Sequence, residues 1–315
     1  MTPGREFTTS SGLRGQQSNA VRWSMLQHFS RFWALGLILL ASCHDGKDGS
    51  VTDTAQDATD GHLRVLTYNV HGLPGAITGD DTADRMRQIS ARITAHDIVG
   101  LQEDFDTDNH DMLIEPSTHA TRLWFGDPLP DRFYGSGLSL LADAPLLDHL
   151  HEHFTTCNGT VDAASDCLAS KGFQAARVRL GTATLDIYNT HLEAGGGEAD
   201  NIARAAQVDA LVAALEGWSA GQAIIFTGDF NLRETDPEDL LLIEQLLRET
   251  GLARTCWAVD CEAPHHIDKV LFRSSTDLQL RVDAWSNIEA DFRDDDDIPL
   301  SDHPAIEAMF EWSTN

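Results

Sequence analysis

Residues 223–231 read Ala-Ile-Ile-Phe-Thr-Gly-Asp-Phe-Asn. The apolar run is too short for a helix and breaks at a glycine. Beyond the break, Asp229 and Asn231 follow within three residues. An apolar run of this length bounded by a turn residue predicts a buried strand that delivers polar side chains at its end. The same arrangement recurs along the chain. Tyr68-Asn69-Val70 closes a strand predicted from Leu63, and Gln102-Glu103 follows Ile98–Leu101. Thr190-His191 follows a strand predicted over Thr184–Asn189. Ile267-Asp268 precedes one over Lys269–Arg273, and Ser301-Asp302-His303-Pro304 opens the last, over Ala305–Phe310. Two more strands are predicted at Gly137–Leu141 and Ala175–Leu180.

Helical spacing is confined to three segments. Asp81–Ala95 carries Met86, Ile89 and Ile93 on one side, and the others are Asp200–Glu216 and Pro237–Glu249. Strands outnumber helices and often follow one another directly. That pattern predicts an α+β fold with two packed sheets flanked by helices rather than a doubly wound parallel sheet.

Taken singly, these signals are weak, because an Asn or Glu after a strand is usually a turn residue or a cap. Their order and completeness resemble the endonuclease/exonuclease/phosphatase superfamily over Leu63 to Phe310. Gly228-Asp229-Phe230-Asn231 and Ser301-Asp302-His303-Pro304 are the most specific motifs. The resemblance implies a four-layer α/β/β/α sandwich of mixed sheets and a metal-dependent phosphodiester hydrolase. It also implies roles. Glu103, with Asn69 and Asp302, would hold Mg²⁺, with Mn²⁺ or Ca²⁺ as alternatives; hard oxygen donors suit such ions. His303 would be the general base, since imidazole titrates near neutral pH, and Asp268 would orient it. His191 and Asn231 would donate to the phosphate, and Asp229 would place the nucleophile or a second metal. A Ser-His-Asp triad is the competing reading of His303 and Asp302, but no Gly-x-Ser-x-Gly elbow is present.

Lys171-Gly172, ahead of a predicted strand and followed by Thr190-His191, resembles a segment of secreted sphingomyelinases. Lys171 would add positive charge beside the phosphate, and Gly172 would permit close backbone approach. Charge favours phospholipid over nucleic acid. Fifty acidic residues against 22 basic ones give −28, which repels a polyanion but not a zwitterionic head group. An exported Mg²⁺-dependent nuclease is the alternative enzyme, and a non-catalytic surface lipoprotein the alternative of another class.

Residues 32–41, Phe-Trp-Ala-Leu-Gly-Leu-Ile-Leu-Leu-Ala, follow Arg22 and Arg31. Ten residues fall short of the roughly 20 that span a bilayer. A basic start, a short apolar core and a small-residue exit describe an export signal, and Leu40-Ala41-Ser42-Cys43 resembles a bacterial lipobox. The expected organisation is a signal region at 1–42, with Met25 giving a more typical signal length than Met1. Lipidated Cys43 and a flexible tether run to 61, and a catalytic domain occupies 62–315. The expected location is the bacterial cell envelope, lipid-anchored, or outside the cell, and the expected state a monomer.

The other four cysteines form two close pairs, Cys157 with Cys167 and Cys256 with Cys261. In an exported chain they read as disulfides, and neither pair has the Cys-x-x-Cys spacing of a zinc site. His149, His151 and His153 alternate, so they share one strand face, read as exposed and polar. Asp294–Asp297 reads as a solvated loop. Trp124-Phe125 is either a membrane-touching element or a buried pair.

Overall fold

The computed structural model describes residues 58–159, 167–261 and 266–315. The signal region and Cys43 lie outside them. The first sheet is ordered β11–β12–β1–β2–β4–β3. Its strands are β1 (Asp60–Asn69), β2 (Ile98–Gln102), β3 (Thr121–Phe125), β4 (Leu138–Ala142), β11 (Leu278–Asn287) and β12 (Ile306–Thr314). The second is ordered β5–β6–β7–β8–β10–β9. It is built from β5 (Leu146–His153), β6 (Gly172–Leu180), β7 (Ala183–His191), β8 (Ala223–Asp229), β9 (Ala253–Arg254) and β10 (Asp268–Arg273). Each sheet is mixed: β1 runs parallel to β2 and β7 parallel to β8, while their other neighbours are antiparallel.

Three cores separate four layers. Val65, Leu140, Ile187, Ile225, Val270 and Phe310 fill the space between the sheets. After the single turn α1 (Gly75–Thr78), helices α2 (Thr82–Ile93) and α3 (Thr107–Ile114) cover the first sheet, with Met86, Ile89 and Leu113 packed among Leu66, Tyr68 and Val99. Helices α4 (Glu198–Gly217) and α5 (Pro237–Thr250) cover the second, with Val208, Leu211, Ile243 and Leu246 packed among Tyr188 and Phe226. The period-two alternation of a strand explains how β1 serves two cores, Val65 facing one and Leu66 and Tyr68 the other. The expected α+β sandwich is therefore the observed fold.

Local chemistry sets the helix ends. Asp81 caps α2 by accepting from the Asp84 amide. Asp236 accepts from the Glu238 and Asp239 amides ahead of Pro237, and Gly251, at φ 71°, closes α5. Beneath the site the sheets come so close that a Cβ at Gly100 would overlap the Thr227 side chain. Gly172 also serves a close approach, to the Glu152 carbonyl across the β5–β6 pair.

Both expected disulfides are present. His149 and His151 are exposed on β5, and the His151 and His153 rings lie 4.5 and 4.2 Å from Phe125. Trp124 and Phe125 pack against different partners. Phe125 is buried, and Trp124 stacks on His110 and donates to the Asp104 carbonyl. The acidic run is a loop, turned by Asp294 accepting from the Asp296 and Ile298 amides. Among the described residues no helix is long and apolar enough to cross a membrane.

Candidate active site

Strand register alone brings three of the nine candidate residues side by side and sets Asn69 next to the Glu103 strand end. In the second sheet His191 on β7 is paired with Asp229 on β8, and Asp229 with Asp268 on β10. In the first sheet Asn69 on β1 is paired with Gln102 on β2, one residue before Glu103. The two rows meet across the sandwich, where the Asn69 amide nitrogen donates to Glu103 Oε1 at 3.0 Å and to Asp229 Oδ2 at 3.1 Å. The loop before β12 adds Asp302 and His303. It is fixed by the Ser301 hydroxyl, which donates to the Asn69 carbonyl at 2.7 Å.

His303 Nδ1 lies 3.0–3.1 Å from both Asp268 oxygens, and its Nε2 lies 3.8 Å from Asp229 Oδ2. A carboxylate on Nδ1 fixes the tautomer and leaves Nε2 to exchange a proton. Burial would lower the pKa of His303, but Asp268 and Asp229 hold it up at about 10. Asp229 is itself raised, by burial and by the charge on Asp268. His191 is fully enclosed, and burial together with Lys171 keeps it neutral, well below its usual range. Its Nε2 lies 3.4 Å from Asp229 and 3.2 Å from Lys171 Nζ. Lys171 is buried beside it and donates to the Leu192 carbonyl. Asn231 donates to that same carbonyl through its side chain, while its backbone N–H donates to Asp229.

Burial would raise the Glu103 carboxyl, but interactions with His71, His191, Asn69 and Lys171 bring it down to about 2. It is thus ionised across the working pH range. Asp302 is exposed and lies across His71 from Glu103; His71 Nδ1 is 3.6 Å from Glu103 Oε2 and 3.5 Å from Asp302 Oδ1. Hard carboxylate oxygens of this kind suit a divalent cation. As arranged, Asn69 turns its nitrogen to the carboxylates, while its oxygen accepts from the His71 amide. It ties the acidic residues together. A second donor group exists in Asp229, Asp268 and His303, with one ligand atom each within 4.8 Å of one another.

The backbone is forced at the same place. Glu103, Asn231 and His71 have φ of 60°, 49° and 48°, the left-handed region that non-glycine residues seldom adopt. Such conformations persist where surrounding contacts over-determine them, and they cluster at functional sites.

All nine candidate residues therefore line one edge of the sandwich. Two neighbours were missed by reading the sequence, His71 and Arg85. His71 sits two residues past Asn69, in the strand-end position that flagged the others. Arg85 carries no such signal. From α2 its guanidinium donates to the carbonyls of Val70, His71 and Leu300, joining the β1 exit to the loop that bears Asp302.

Comparison with known proteins follows the same lines. A sphingomyelinase of Mycobacterium bovis is 31% identical over 286 residues, covering 81% of this chain and 54% of that protein. The chain thus spans about half the length of the curated relatives it matches. The crystal structure of sphingomyelinase C from Streptomyces griseocarneus shares the fold at TM-score 0.60 and 18% identity, covering 81% of this chain and 100% of that one. D. rerio TDP2 complexed with single-strand DNA product does so at TM-score 0.61 and 18% identity, covering 79% and 98%. Residues 66–303, from β1 to the His303 of the site, match the Endonuclease/Exonuclease/phosphatase family, and the chain belongs to it.

Proposed function

We propose that this chain is a divalent-cation-dependent phosphodiester hydrolase of the sphingomyelinase C type, acting on phospholipid head groups at a membrane surface. The observation that carries the chemistry is the convergence of Asp268, His303, Asp229, His191 and Asn231 with the carboxylates of Glu103 and Asp302 on one edge.

In its deprotonated form, His303 takes a proton from the attacking water at Nε2 while Asp268 holds the ring through Nδ1. The water oxygen bonds to phosphorus, the bond from phosphorus to the lipid oxygen breaks, and the leaving alkoxide takes up a proton from solvent to become the free lipid alcohol. Asp229, beside Nε2, orients the water. His191, Asn231 and the buried Lys171 surround the position of the phosphate oxygens, where negative charge grows toward the transition state. Glu103, Asn69 and Asp302 would hold Mg²⁺, or Mn²⁺ or Ca²⁺ in its place. A cation there supplies charge that polarises the phosphoryl group.

Three features favour a phospholipid. The M. bovis relative is a sphingomyelinase. The net charge of −28 opposes approach to a polyanion. Ile77, Phe133 and Ile298 are also exposed, on segments adjoining the site edge. They follow the end of β1, lead into β4 beside the end of β2, and precede Ser301. Lipid attachment at Cys43 would keep a monomeric enzyme in the bacterial cell envelope, near its substrate. The fold shared with a DNA-bound TDP2 supports a second reading, an exported nuclease. A purely binding role is disfavoured by the intact set of polar residues.

Hydrolysis of sphingomyelin, phosphatidylcholine and plasmid DNA by the full chain, with Mg²⁺ or with EDTA, tests the proposal. Phosphocholine release that EDTA stops is the expected result. DNA nicking without lipid cleavage would establish the nuclease, and no turnover of any substrate would revive the binding role.

A further inference from the structure

One arginine spans separate segments of the candidate site. Arg85, near the start of α2, keeps its side chain 14% exposed. Its Nη1 donates to the Val70 carbonyl at 3.1 Å and to the Leu300 carbonyl at 2.8 Å, its Nη2 to the His71 carbonyl at 3.0 Å, and its Nε to Asp80 Oδ2 at 2.8 Å. These bonds commit nearly the whole guanidinium fork to the protein itself, so Arg85 is not built to bind phosphate. The carbonyls belong to two stretches distant in sequence. Val70 and His71 follow Asn69, and the next residue, Gly72, donates its N–H to the Glu103 carbonyl at 2.9 Å. Leu300 leads directly into Ser301-Asp302-His303. The anchor is itself braced, since Asp80 Oδ1 accepts from Thr78 at 2.6 Å and from Thr82 at 2.7 Å.

We propose that Arg85 is a positioning residue for the reaction: its guanidinium sets the loop of Asp302 and His303 against the exit of β1 that carries Asn69 and meets the Glu103 turn. The inference rests on the hydrolytic reading above and deepens it. Asp268 stands on the second sheet, whereas the loop of His303 leads into β12 of the first. How that loop lies against the strand ends of the first sheet therefore decides whether His303 meets its partner and the attacking water. A misplacement on the order of 1 Å, caused far from the reacting atoms, can cost about 10²-fold in rate. The competing account gives Arg85 a share in stability alone, so that every molecule still folded turns over normally.

The test compares the full chain with Arg85→Ala and Arg85→Lys, with rates expressed per folded molecule from circular dichroism. In Arg85→Ala, kcat for sphingomyelin should fall about 10²-fold while KM changes less than about threefold. Added guanidinium ion should restore part of that loss, because it can refill the fork. Arg85→Lys keeps the charge but has no planar fork to span the carbonyls, so it should stay at least about tenfold below the unaltered chain. In the free chain, amide exchange in Arg85→Ala should quicken together at 70–72 and 300–303 and stay slow in β8 and β10. Turnover per folded molecule within about twofold of the unaltered chain in Arg85→Ala, or full activity in Arg85→Lys, overturns the proposal. Exchange that quickens at one of the two segments alone also overturns it. Should Arg85→Ala not fold, Arg85→Lys decides. If the unaltered chain hydrolyses neither lipid nor DNA, the hydrolytic reading falls, and the exchange comparison still decides whether Arg85 couples the two loops.

Discussion

The Asn69 amide nitrogen donates to Asp229 Oδ2 across 3.1 Å, a hydrogen bond that joins the last residue of β1 to the last residue of β8 and so links the two sheets at the site. The same nitrogen holds Glu103, placing one amide between two buried or half-buried carboxylates. Neutral donors shared in this way let acidic groups lie close without adding charge.

Asn69→Ala should therefore damage both stability and rate. Loss of a buried donor leaves Asp229 and Glu103 each short of a partner, at a cost of about 1–3 kcal/mol. Rate should fall on the order of 10²-fold, since Glu103 and Asp229 lose their common anchor. Urea unfolding and kcat on one phosphodiester substrate measure the two effects. A variant with normal kcat and lowered stability would confine Asn69 to a structural role.

His303 supplies a prediction with a definite sign. Asp268 and Asp229 raise its pKa to about 10, above the ordinary value of about 6.5. A raised histidine contributes stability that is fully present below pH about 6.5 and is lost as pH rises through about 10. In EDTA, the unfolding free energy of the full chain should decline over that window. Asp268→Asn should flatten the decline, because the partner that holds the proton is gone. In turnover His303 must be neutral, so the same substitution should move the acid limb of kcat/KM to lower pH while lowering its maximum. An acid limb that stays in place would remove Asp268 as the group that tunes His303.

Arg204 tests how the loop after His191 is held. It is almost wholly buried and donates to Asp239 and to the carbonyls of Glu193 and Gly195. Removing one partner of a buried ion pair costs about 3–5 kcal/mol, because the other charge stays behind. Arg204→Ala should lose stability on that scale by denaturant titration. Its kcat should also drop as the segment beyond His191 loosens. Loss of stability with kcat intact would separate the loop from the chemistry.

The strongest readings from sequence were those in which chemistry and pattern coincided. Asp229, Asn231, Asp302 and His303 lie in compact motifs beside apolar runs, and strand register carries them to one edge. The segment at β11 was missed although Leu278, Leu280 and Val282 alternate with polar residues, because no catalytic residue drew attention to it. Helix α3 was missed for another reason: its sequence, Thr-Asp-Asn-His-Asp-Met-Leu-Ile, has little apolar periodicity, and Asp106 capping with burial of Leu113 and Ile114 defines it. Arg85 was out of reach altogether. On a helix it reads as a surface residue, and only the fold brings Val70, His71 and Leu300 to its guanidinium.

The Cys157–Cys167 bridge closes a loop between β5 and β6, whose far end leads directly to Lys171. Beside it, the Asn158 amide donates to Glu193, tying this loop to the segment beyond His191. With a sequence separation of 10, chain entropy assigns the bridge about 3 kcal/mol. The paired change Cys157→Ser with Cys167→Ser should lower stability by about that amount in urea. Because Lys171 and His191 stand side by side, KM for the phosphodiester should rise more than kcat falls if Lys171 serves mainly to bind the phosphate. The measurement is kcat and KM for this variant beside Lys171→Met. A shared rise in KM would tie the bridge to phosphate binding through Lys171. A stability loss with both constants unchanged would restrict the bridge to holding the loop.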